Sequence, residues 1–126
     1  MKPGEKGISR LVSATRYSWA GMRAAWKHEA AFRQEVTVAV IGFPLALYCA
    51  SDGVDFLLLT LPLLLLILAE LVNSAIESVV DRFGDEYNAL SGRAKDMGSA
   101  VVFMAITIAS LSWIVVVGAK LGAPWG

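Results

Sequence analysis

An all-α membrane protein, with one amphipathic helix at the bilayer surface and three helices crossing it, is the architecture this sequence predicts. Three observations carry that reading. Hydrophobic residues make up 56% of the 126 residues and mean hydropathy is +0.60. Only 17% are charged, below the share usual in a soluble domain. The apolar residues also gather into three long stretches punctuated by charges and helix breakers, as bilayer-spanning helices require. Residues 1–126 form a single domain, and an elaborate active site in so small a chain would draw on neighbouring copies. A formal net charge of zero excludes the electrostatic footprint of a nucleic-acid partner. Cys49 stands alone, so neither a disulfide framework nor a thiolate metal cluster is expected, and it reads as a small apolar helix residue.

The first element covers residues 8–28. Ile8, Leu11, Val12, Thr15, Trp19, Met22 and Trp26 share one face at helical spacing, with Arg16, Arg23 and Lys27 on a flank. This pattern predicts an interfacial helix anchored by its tryptophans. Its apolar residues are periodic rather than continuous, unlike a secretory signal.

Three spans follow, at about 30–50, 55–82 and 97–119. The first is short, its apolar part running from Val36 to Ala50; Ala30 to Phe32 extend it, with Arg33 and Glu35 reaching toward the interface along their aliphatic stems. Pro44 and Pro62 predict local kinks of the kind membrane helices tolerate. The link from Ser51 to Asp55 is tight and acidic. Small residues of the third span, among them Ser99, Ala100, Ala105, Ala109 and Ser110, suggest close helix packing. Seven basic residues precede the apolar part of the first span and Arg82, Arg93 and Lys95 lie between the second and third, whereas the first loop has none. The positive-inside rule therefore puts the N-terminus and the 81–97 connection in the cytoplasm, with Lys120 outside.

Glu70 ends the apolar run from Phe56 to Ala69. An ionised carboxylate is costly in hydrocarbon, so its presence there suggests function; an interhelical hydrogen bond from a protonated carboxyl is the alternative. At about 100° per residue Glu70, Asn73, Ser74, Glu77 and Asp81 share one helical face. Counting about 20 residues from Phe56 places Glu70 shallowly within the inner leaflet, with Glu77 about 10 Å further along at the cytosol. One carboxylate can then meet a lipid headgroup while the other meets a soluble anion. Asn73 reads equally as helix-packing glue or as a positioning group. Asp81 and Arg82 read as a solvated helix end, and His28 as an exposed interfacial residue.

Glu29 lies at the same interface and is placed to join Glu77 around a hard cation. Mg²⁺ takes one or two carboxylates plus substrate phosphates, which suits so sparse a pair. Lys95 and Asp96 add a cation for phosphate charge and a further polar ligand. The combination points to phosphoryl transfer, without a Gly-rich phosphate loop of the usual nucleotide-binding kind.

The blocks YSWAGMRAAWKHEAAFRQE (Tyr17 to Glu35), ELVNSAIESVVDR (Glu70 to Arg82) and DEYNALSGRAKDMGSA (Asp85 to Ala100) resemble the small integral-membrane diacylglycerol kinases of Gram-negative bacteria. The resemblance runs from about Ile8 to Trp113, and it implies a homotrimer with composite interfacial sites that uses ATP and Mg²⁺ to convert diacylglycerol to phosphatidate in the inner (cytoplasmic) membrane. It further implies that Glu70 is the general base and that Glu29 and Glu77 bind the metal and ATP. Arg10, Tyr17, Glu86, Tyr87, Lys95 and Asp96 would contact ATP. Arg10, Trp19, Arg23, Ala31, Glu35, Ser99 and Trp113 would lie near the lipid; Asn73, from its place on the polar face, is kept as a supporting residue. Asn88 stands among the nucleotide residues where the family pattern leads us to expect histidine. Two alternatives remain at this stage, an undecaprenol kinase, because related short chains of Gram-positive bacteria act on a polyprenol through a similar core, and a small proton-coupled transporter built around one intramembrane glutamate.

Overall fold

Glu29 breaks what would otherwise be one long helix. Its backbone is extended (φ −117°, ψ 107°), and Arg33 reaches back to donate from Nη1 to the carbonyl of Trp26 at 2.7 Å, satisfying a terminal acceptor of the preceding helix. The computed structural model describes residues 3–126, which form α1 (Gly7–His28), α2 (Ala30–Cys49), α3 (Gly53–Asp81) and α4 (Ala89–Lys120). α2, α3 and α4 are each long and apolar enough to cross a membrane.

The acidic link between α2 and α3 is a pair of caps. Asp52 accepts from the Asp55 amide at 2.9 Å, and the Asp55 carboxylate accepts from the Ser51 amide at 3.1 Å. These two bonds satisfy amides that the turn and the start of α3 leave without helical partners. α3 ends where Gly84 adopts φ +90°, a left-handed conformation that stops a helix and that glycine reaches without strain. Asn88 then starts α4, its side-chain oxygen accepting from the amides of Leu90 (2.9 Å) and Ser91 (3.1 Å). The helix therefore begins well before the apolar stretch expected from residue 97. About two polar turns carrying Arg93, Lys95 and Asp96 precede that stretch. At 1.5 Å per residue the 29 residues of α3 and 32 of α4 reach about 43 and 48 Å, longer than the roughly 30 Å of hydrocarbon. Both helices thus project polar turns beyond a bilayer.

α3 is the central element, packed chiefly against α4 and then α2, with α1 attached more lightly. One core cluster joins Ala46, Leu59 and Val116, with Cys49, Phe56 and Trp113 beside it. A second joins Leu66, Ala69 and Ala105. Phe43 and Phe56 meet edge to face at 6.4 Å between centroids, a favoured aromatic geometry. Pro62 has no N–H, so within α3 the carbonyl of Leu58 loses its helical donor. The Ser112 hydroxyl of α4 donates to that carbonyl, and the Trp113 indole donates to the neighbouring carbonyl of Leu59 at 2.9 Å. A helix breaker in α3 is thereby repaired by its neighbour, as bilayer interiors demand.

At the far end of α4, Lys120 Nζ lies 3.0 Å from the Tyr48 carbonyl and 3.4 Å from that of Cys49, closing the carbonyl end of α2. The Trp125 indole turns back to the Val115 carbonyl at 2.7 Å. Large apolar side chains stand exposed around the spans, among them Leu57, Leu61, Leu64, Leu68, Phe103, Leu111 and Ile114. A surface of this kind is stable against lipid or protein rather than water.

Candidate active site

The last three turns of α3 divide their polar residues between two neighbours. Leu66 and Ala69 pack on Ala105 of α4, and one turn further Asn73 meets Gly98 of the same helix. Ser74 and Ser78 instead line a groove of about 480 Å³ shared with Ser18, Met22, His28 and Glu29. Glu70 is only 5% exposed and is the only buried ionisable side chain among the described residues.

Its surroundings are acidic. Glu35 on α2, Glu77 on α3 and Glu29 at the α1–α2 corner all lie within electrostatic reach of Glu70. Among the described residues the one ion pair is Lys95 with Asp81, at 2.7 Å, and Arg33 is committed to the carbonyls of Trp26 and Lys27. Carboxylates within such reach of one another repel. No three His, Cys, Asp or Glu side chains among the described residues are placed to form a protein-only metal cage. The donor set suits an ion that completes its shell with water and substrate oxygens, as Mg²⁺ does.

One polar atom in this region, Asn73 Oδ1, lacks a partner although buried. The Asn73 amide nitrogen donates to Glu77 Oε1 at 3.4 Å. Unsatisfied buried groups are uncommon and concentrate where a ligand or a functional constraint acts.

A second polar recess, about 580 Å³, opens at the α3–α4 connection and is lined by Asp81, Asp85, Glu86, Tyr87, Asn88 and Lys95, among others. Asp81, expected as a solvated helix end, is exposed but holds Lys95. Asn88 takes part through its position, while its carbonyl oxygen is occupied in capping α4. A crevice of about 800 Å³ between α1 and α2 gathers Trp19, Arg23, Trp26, His28 and Phe32, a largely apolar wall with a basic edge.

The other site residues named from the sequence are not gathered here. Arg10, Tyr17, Asp96 and Ser99 are exposed, and Ala31 is half-buried. Trp113 lies in an apolar groove with Leu45, Leu63 and Ala109, roughly 22 Å along α4 from Gly98 at helical rise. Ser18, Ser78 and Gly98 were not singled out from the sequence. Gly98 had only the weak signal of a glycine within a helical pattern, which it shares with Gly92 and Gly118 of the same helix; the serines had none beyond their spacing.

The sequence pattern of the prokaryotic diacylglycerol kinases matches residues 16–117. A diacylglycerol kinase of Escherichia coli K12 is 46% identical over 116 residues, covering 92% of this chain and 95% of that protein. Those of Pseudomonas aeruginosa and Haemophilus influenzae are 48% identical over 111 residues and 44% over 107, covering 87% and 85% of this chain and 89% and 91% of their own lengths. With three apolar helices able to span a bilayer and relatives of this kind along almost its whole length, the chain is a membrane-embedded transferase that belongs to the prokaryotic diacylglycerol kinase family.

Proposed function

We propose that this chain transfers the γ-phosphoryl group of ATP to the free hydroxyl of diacylglycerol, giving phosphatidate at the cytoplasmic face of the bacterial inner membrane. The observation that carries this reading is the kinship to diacylglycerol kinases over 92% of the chain, which runs through the carboxylate-rich turns of α3. The transporter alternative falls away, since the relatives are kinases.

Glu70 accepts the proton of the lipid hydroxyl as its oxygen attacks the γ-phosphorus, and ADP departs from the opposite side. Burial beside apolar Leu66 and Ala69 keeps water away from that carboxylate. Glu77 and Glu29 would hold Mg²⁺, which when bound neutralises phosphate charge. Lys95, at the start of α4, offers its ammonium to the nucleotide phosphates. Glu86, Tyr87 and Asn88 of the neighbouring recess, with Arg10, Tyr17 and Asp96, would complete the nucleotide contacts. Trp19 and Arg23 of the α1–α2 crevice would face the lipid, together with Ala31, Glu35, Ser99 and Trp113. α1 is read as an amphipathic surface helix, because its apolar face carries Ile8, Trp19 and Trp26 exposed, and the basic residues of the N-terminal region favour a cytoplasmic N-terminus. The dispersal of these residues along one chain supports a homotrimer with sites shared between copies.

The deciding experiment is phosphate transfer in detergent micelles with ATP and Mg²⁺, comparing diacylglycerol with undecaprenol at matched surface concentration. Faster phosphorylation of diacylglycerol, tolerant of several chain lengths, is expected. Preference for the polyprenol would replace the substrate, and ATP turnover with neither lipid would overturn the reading.

A further inference from the structure

Gly98 is buried in α4, and across the α3–α4 seam it faces Asn73. A β-carbon built on Gly98 would stand 2.5 Å from Asn73 Oδ1, so the oxygen fills space that any other residue would need for its first side-chain atom. That oxygen is buried and receives no N–H or O–H donor. What faces it is the Gly98 Cα–H, a weak donor. The nitrogen of the same amide donates to Glu77 Oε1 at 3.4 Å. Turning the amide over would set its oxygen against the Glu77 carboxylate, so the two contacts select one orientation. Glycine is otherwise unfavourable within a helix, and nothing else at this position requires it, since no positive φ occurs there.

We propose that Gly98 is a positioning residue: by admitting the Asn73 carbonyl oxygen it keeps the Asn73 amide N–H aimed at Glu77, and so fixes the orientation in which that carboxylate meets Mg²⁺ and the nucleotide phosphates. The functional half of this inference rests on the metal role proposed for Glu77. A methyl at position 98 would push the Asn73 amide away, leaving Glu77 free to rotate and short of a hydrogen bond.

Two measurements test it. Gly98→Ala should raise the apparent KM for Mg²⁺·ATP, and the Mg²⁺ needed for half-maximal rate, by about tenfold, the effect of losing one hydrogen bond to a charged group. The KM for diacylglycerol should not change. In an Asn73→Ala background, where no side chain opposes the methyl, the same substitution should add less than about twofold. The sequence holds only two asparagines, Asn73 and Asn88, so selective ¹⁵N-asparagine labelling gives two side-chain amide signals in detergent micelles. Gly98→Ala should shift the signal that Asn73→Ala removes and leave that of Asn88 in place. Fully additive kinetics or an unmoved Asn73 amide would overturn the proposal. If Gly98→Ala alone does not fold, recovery of folding in the double variant supports the same contact, and failure of both overturns it. An inactive wild type whose Asn73 amide still shifts on substitution would fault the kinase reading while retaining Gly98's hold on Asn73.

Discussion

Lys95 and Asp81, one on each side of the α3–α4 connection, form an ion pair at 2.7 Å. Both are substantially exposed, at 46% and 64%, so solvent screening keeps the pair weak. Such a pair orients the lysine without tying it down, and nucleotide phosphates bearing several charges can draw the ammonium away. Lys95→Met should therefore raise the KM for ATP at least about tenfold, whereas Asp81→Asn should move it by no more than about threefold. Initial rates against ATP concentration distinguish them; equal losses in the two variants would assign Asp81 a role of its own.

Glu70→Gln keeps the size and burial of the side chain and removes its basicity. Turnover should drop by about 10² to 10⁴. The KM for ATP and the helical content should stay near wild type, because nucleotide contacts are assigned to other residues. Wild-type turnover in this variant would exclude Glu70 as the base.

For Glu29 and Glu77 the expected signature is a changed metal requirement. Glu77→Gln and Glu29→Gln should each raise the Mg²⁺ concentration for half-maximal activity more than they raise the KM for diacylglycerol. A titration of Mg²⁺ at fixed ATP gives the answer, and an unaltered curve in both variants removes these residues from the metal site.

Ser112 should matter for stability rather than turnover. Ser112→Ala leaves the Leu58 carbonyl without a donor and should cost about 1–2 kcal/mol. In a Pro62→Ala background the backbone N–H returns, and the same serine substitution should cost about half a kcal/mol or less. Unfolding midpoints in detergent across the four proteins test the repair directly.

The four helices and the polar stripe of α3 were legible because helical periodicity and apolar runs are local signals, and Glu70 stood out by its cost in hydrocarbon. The α1–α2 corner falls at Glu29, between the two segments read from sequence as interfacial and spanning. What escaped the sequence depends on which faces meet. Asp81 acquires Lys95 only when α4 begins at Ala89, an early start set by the Asn88 cap, and no pattern within α3 announces it. Gly98 matters because Asn73 lies opposite, and Ser112 because Pro62 does; each pairing joins residues far apart in the chain. The dispersed Tyr17, Ser99 and Trp113 took their roles from family resemblance alone, and one copy of the chain does not bring them together.

Lys120 on the last carbonyls of α2 and Trp125 on Val115 fasten one end of the helical sheaf, while α1 at the opposite end buries only Ala25. The molecule is consequently braced at one end and loosely joined at the other. Amide hydrogens of α1 should exchange sooner than those of α3.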